Sequence, residues 1–159
     1  MEAMATAWEF KDLSLVKSEA IAAAWRYWQS KSETLSIPSR SQIDPLEMRQ
    51  FLSKVLMIDV ESEREFTYRL CGTHVAAING KDLTGQRASD VNLGASSQQF
   101  IEAYQRTIRG REPILFTGHL WWQNREWVGF EQIILPLSTD GIAVDKLMCV
   151  IDCHLPKNS

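Results

Sequence analysis

The 159-residue sequence has little cysteine and little histidine, three of each. Cys71, Cys149 and Cys153 are odd in number and widely spaced, so they form no disulfide framework and suit a reducing compartment. No stretch approaches the roughly 18 consecutive apolar residues that a membrane span requires. Met1-Glu2-Ala3-Met4-Ala5-Thr6-Ala7-Trp8-Glu9 places acids where a secretory signal carries positive charge, so a cytoplasmic location is expected. Basic residues form no cluster: 17 Lys and Arg stand against 20 Asp and Glu, a formal net charge of −3. That balance argues against nucleic-acid and anionic-membrane partners, whose binding draws on concentrated positive charge. Also missing are a Gly-x-Ser-x-Gly elbow, a Gly-x-x-x-x-Gly-Lys phosphate loop, a His-Glu-x-x-His zinc helix and any internal repeat. What is present is 45% hydrophobic content. A chain of this length can bury roughly 70% of its unfolded surface, enough for one domain without metal or disulfide staples.

Periodicity divides the chain. Residues 1–14 show no clear period and read as a loose lead-in. From Ser18, Ile21, Trp25 and Trp28 recur at i, i+4 and i+7 among alanines, an amphipathic helix ending near Lys31. Residues 32–40 are a polar connector in which Pro38 forbids helix continuation. Asp44-Pro45 reads as N-cap and first residue of a short helix through Leu52. The period then changes from 3.6 to 2. Residues 54–61 hold Val55, Leu56, Met57, Ile58 and Val60; Phe66, Tyr68 and Leu70 alternate with Thr67, Arg69 and Cys71 after the charged turn Glu63-Arg64-Glu65, completing a hairpin. Val75, Ala76 and Ile78 followed by Asn79-Gly80 predict a short helix with a left-handed stop. Ser96 or Ser97 caps a longer helix whose Phe100, Tyr104, Thr107 and Ile108 share a face, with Gly110 at its end. Residues 113–123, 127–138 and 144–154 are three long strands. The expected class is α+β: a five-stranded antiparallel sheet with a helical crossover on one face, residues 1–53 as N-terminal extension and 54–154 as the sheet domain.

This order, two strands, a helical crossover and three strands, resembles the PAS domain. The likeness is carried by Pro38-Ser39-Arg40, Ile43-Asp44-Pro45-Leu46, Leu56-Met57-Ile58-Asp59-Val60, Phe66-Thr67-Tyr68-Arg69-Leu70-Cys71-Gly72-Thr73, Gly80-Lys81-Asp82-Leu83-Thr84-Gly85 and Ile134-Leu135-Pro136-Leu137-Ser138. It covers about residues 20–152 and looks like a bacterial PAS-like family found mainly in alphaproteobacteria. The resemblance implies a sensory or interaction module with a space between sheet and helices. Its candidate lining is Tyr68, His74, Phe100, Tyr104, Phe116 and Phe130. It also implies that signals pass to a separate output protein, or through a homodimer formed by the N-terminal helix and the outer sheet face.

No cofactor is assigned. The photoactive flavin type resembles Asn-Cys-Arg-Phe on the early helical segment, and residues 73–91 contain no cysteine. The haem type often places a His on the long helix, and residues 96–109 contain none. Cys149-x-x-x-Cys153-His154 has one spacer residue too many for covalent haem attachment. On a strand its two thiols stand roughly 13 Å apart, too far to share one zinc ion, so both are read as small buried hydrophobes. Arg69 faces the side opposite Tyr68 and Leu70, either in a salt bridge with Asp59 or Glu131 or as an anion-recognition residue. Gly72 and Gly85 are read as turn residues needing backbone freedom. His119 and Glu131 lie on adjacent strands, a cross-strand polar pair or an acid and base. Trp121 and Trp122 point to opposite faces and group with Trp127 and Phe130; the outer indole needs cover from Ile21, Trp25 and Trp28, within the chain or across a dimer. The leading reading is a non-enzymatic sensor for a small molecule. Its alternatives are a ligand-free interaction scaffold with a packed core and a small cone-like acid–base enzyme.

Overall fold

In chain order the structure runs β1 (Glu9–Lys11), α1 (Glu19–Lys31), β2 (Val55–Val60), β3 (Phe66–Cys71), α2 (Thr73–Asn79), α3 (Ser96–Gly110), β4 (Ile114–Trp122), β5 (Glu126–Leu137) and β6 (Lys146–Cys153). This is a computed structural model, and it describes residues 8–32, 36–91, 96–122 and 126–154. The six strands form one antiparallel sheet in the order β1-β4-β5-β6-β2-β3. The last strand lies beside the first of the predicted five, so the hairpin β2–β3 and the meander β4–β5–β6 meet at the β2–β6 seam.

The sixth strand corrects the expected count. Glu9, Phe10 and Lys11 pair with Thr117, Phe116 and Leu115 on the edge of β4, inside the segment read as a loose lead-in. Three residues carry too little alternation to register as a strand, and the pairing is supplied by β4 from more than a hundred positions away. The helix expected from Asp44 to Leu52 is likewise replaced by two 3-10 turns, Pro45–Met48 and Leu52–Lys54. Asp44 does cap the first, accepting the Leu46 N–H at 2.9 Å. Phe51, at φ −137°, then leaves the helical region, and Met48 and Phe51 both become buried against α1.

Alternation along the strands splits the interior into two layers. Leu56, Ile58, Phe66, Tyr68, Phe116, Phe130, Ile134, Leu147 and Cys149 face α2 and α3. Val55, Met57, Leu115, Ile133, Leu135, Leu137, Met148 and Val150 face α1, which buries Ile21, Ala24 and Trp28 against them. Burying each such side chain contributes about 1.5–3 kcal/mol. Ser18 caps α1 by accepting the Ile21 N–H, and the Trp28 indole donates to Pro136 O at 2.9 Å. The connector is fixed to the same sheet where Pro38 O accepts the Ser138 N–H at 2.9 Å. Thus α1 covers the outer face of its own sheet. The side chains of Trp121, Trp122 and Trp127 lie outside the described residues.

The two predicted turn glycines differ in kind. Gly85 has φ +86°, the left-handed region, as does Gly80 at +80° behind α2. Gly72 has an ordinary φ of −65°. What it needs is the absence of a Cβ, which would stand against Ser53 O and 2.6 Å from Leu52 O, both backbone atoms.

Candidate functional site

Five of the six proposed lining residues come together. Tyr68 from β3, Phe100 and Tyr104 from α3, Phe116 from β4 and Phe130 from β5 are all at most 5% exposed and form one cluster between sheet and helices. Phe100 and Phe130 rings lie 6.4 Å apart, Phe116 and Phe130 5.9 Å, Phe100 and Tyr104 6.4 Å. The hydroxyls of Tyr68 and Tyr104 are 3.4 Å apart. Burial pushes the Tyr68 phenol up to about 12 and the Tyr104 phenol well above its ordinary range, so both remain neutral donors.

His74 is taken up by the sheet backbone beside Phe130, whose partner on β6 is Cys153. Its Nε2 accepts the Cys153 N–H at 3.1 Å. Strand β2 pairs with β6 only as far as Val150, so the α2 imidazole takes up a sheet N–H beyond the end of β2. Burial and then Lys54 hold the His74 pKa below its usual value, against the opposing pull of Asp152. A neutral imidazole with a free Nε2 lone pair is the form this bond requires.

Two residues in this space gave no functional signal in the sequence. Gln132 on β5 shares the parity of Phe130 and Ile134 and is fully buried, yet neither atom of its amide makes an ordinary hydrogen bond. The thiol of Cys149, a weak partner, lies close enough for Gln132 to affect its ionisation, although burial dominates and keeps that thiol protonated. Trp8 is the second. Its indole stacks on Phe116 at 5.3 Å and 17°, and meets Phe100 at 4.6 Å and Phe130 at 5.1 Å edge-on. Its Nε1 is buried without a partner. A correct register for β5 would have marked Gln132 from the sequence; Trp8 depends on the unexpected pairing of β1.

On the opposite face, a half-open cleft of about 650 Å³ lies between the β1–α1 segment and the ends of β4, β5 and β6, lined in part by Lys17, His119, Glu131 and Asp152. Glu131 is 6% exposed and spends its carboxylate on the backbone N–H groups of Lys17 (3.0 Å) and Ser18 (2.8 Å). Ser18 Oγ donates to Asp152 at 2.6 Å. These contacts fix the start of α1 on the sheet. His119 is exposed and sits diagonal to Glu131 on the same face, since their direct partners are Gly129 and Thr117. Arg69 bridges to Asp59, which also receives Lys146 at 2.8 Å. Arg69 is the extra residue of a bulge: consecutive Met57 and Ile58 face Leu70 and Tyr68.

Among the described residues no His, Cys, Asp or Glu group has the form of a metal site, and no helix is long and apolar enough to cross a membrane. The cysteines are free, with Cys149 and Cys153 buried. Compared with known sequences, no curated protein matches the chain. A family model described as PAS domain matches residues 16–151, from just before α1 into β6. The chain therefore belongs to the PAS domain family, whose members are sensory and interaction modules.

Proposed function

We propose that the chain is a PAS sensor that takes an uncharged small molecule between the sheet and helices α2 and α3. The observation that carries this reading is Gln132, fully buried with an amide lacking ordinary hydrogen bonds. Leaving such an amide unpaired costs about 1–3 kcal/mol, so it needs a use. A ligand with a polar edge would supply one, with Tyr68 and Tyr104 as further neutral donors. Arg69 and Glu131 serve the sheet and α1 rather than the ligand. Occupancy would reach a separate output protein, or a second copy of the chain, through α1 and the surface around it. Asp59 and Glu131 occupy themselves with cations and backbone N–H groups, a structural use that favours sensing over acid–base catalysis.

Native mass spectrometry of the protein as purified from its host tests the reading. A noncovalent adduct of small-molecule mass, lost in Gln132→Met, is expected, and the same spectrum reports the oligomeric state. A scaffold with a filled core is favoured by the close ring packing around Phe116; it predicts identical adduct-free spectra for both proteins.

A further inference from the structure

Trp8 occupies a place that a free ligand would want. Its partner on the sheet is Gly118, where an added Cβ would collide with the indole Cδ1 and lie 2.9 Å from Nε1. The missing side chain at Gly118 is therefore the slot that the indole fills. Phe116, Phe100 and Phe130 wall it with one stacked and two edge-on contacts, geometry suited to a flat aromatic ring. The indole fits this box by shape and leaves its own N–H without a partner and the Gln132 amide with none beyond the weak Cys149 thiol. In the β4–β5 register Gln132 is opposite Phe116 and Phe130 is opposite Gly118, so these two groups belong to adjacent positions on one wall. Besides those ring contacts, the three pairs of β1 hold the indole there, together with Phe10, whose ring lies 3.8 Å from the Arg106 guanidinium on α3.

We propose that Trp8 is an intrachain stand-in for the ligand, exchanged for a planar, uncharged bicyclic molecule bearing a donor–acceptor edge such as a lactam. This rests on the ligand-binding reading above and adds both the chemical class and the switch. A lactam N–H and C=O pair complements a primary amide, so the molecule stacks where the indole stacks and also satisfies Gln132. Among the described residues the buried charged side chain is Glu131, which faces α1 on the other side of β5, so this layer disfavours an ion. Displaced Trp8 regains water for its N–H, and β1 leaves the edge of β4. The ligand-bound and ligand-free states thus differ in whether the N-terminal strand is docked, which is the differential contact that a sensor requires.

The test uses quinolin-2(1H)-one as probe and naphthalene as its shape control, with native protein, Trp8→Ala and Phe10→Ala compared by calorimetric titration and by hydrogen exchange of the β1 amides. The lactam is expected to bind better than naphthalene, and to bind Trp8→Ala about tenfold tighter than native protein, as when the competent state is populated about one-tenth of the time. It should also abolish protection of the β1 amides. Phe10→Ala, which removes the ring held by Arg106 and loosens β1 without entering the slot, provides the same comparison should Trp8→Ala fold poorly. Equal affinities, or β1 amides still protected in the saturated native protein, overturn the exchange while leaving an interior ligand site intact. No binding of the lactam to any of the three overturns the ligand class, and the adduct spectrum then decides the interior site separately.

Discussion

Replacing Gln132 with Met separates a residue kept for function from one kept for stability. The amide is fully buried on β5 and has no ordinary hydrogen bond. Its desolvation cost of about 1–3 kcal/mol is offset only by the weak Cys149 thiol. Met is unbranched, flexible and apolar, so it fills the same space without that cost. The variant should be more stable by about 2 kcal/mol. For a domain of this length that raises Tm by about 4–8 °C, since each kcal/mol is worth about 2–4 °C. Urea unfolding of ligand-free protein, stripped by unfolding and refolding, should show a higher midpoint at unchanged slope. Adding ligand should stabilise the native protein by mass action and leave the variant unmoved. A Gln132→Met midpoint equal to or below that of the native protein would refute the reasoning, because it would mean that the amide already has its partner.

Three further outcomes follow from the packing. Gly72→Ala sets a methyl against the Ser53 and Leu52 carbonyls, which are backbone and cannot rotate away, and should cost about 3 kcal/mol by thermal unfolding; a loss under 1 kcal/mol would show that this turn yields easily. Trp28→Phe removes the indole N–H from Pro136 O and leaves a buried carbonyl unpaired, a loss of about 2 kcal/mol seen as a lower urea midpoint. Tyr68 ionises near pH 12 when folded and near 10 when unfolded, so its contribution is intact below pH 10 and disappears as pH rises through 12. By pH 11 this residue alone should cost about 1.4 kcal/mol; a Tyr68→Phe variant with the same alkaline profile as the native protein would contradict it.

Much of the fold was legible because the side-chain period is local. The helix with Ile21 and Trp28, the β2–β3 hairpin, the Gly80 stop and the three long strands each rest on residues a few positions apart, and tertiary packing reinforces them. β1 was not legible because its pairing comes from β4 and its own three residues carry almost no pattern. The turns after Asp44 were misread as one helix because Pro45 and Asp44 signal a start equally well for a 3-10 turn, and nothing nearby announces the break at Phe51. At the candidate site the aromatic residues were visible as types at the right parity. Gln132 was hidden within an apolar strand, where its amide looked incidental, and Trp8 lay upstream of every recognisable element. His74 was visible as a candidate, but its role as acceptor for the Cys153 N–H depends on β2 ending one strand over.

Strand β5 is a wall shared by two rooms. Its even residues Phe130, Gln132 and Ile134 look toward the aromatic layer, and its odd residues Glu131, Ile133 and Leu135 look toward α1. Glu131 grips the first backbone N–H groups of the α1 segment, one peptide away from the buried Gln132 amide. A stiff strand cannot shift or tilt at Gln132 and leave its neighbour in place, so α1 is geared to the sheet at the very tooth where the interior is polar.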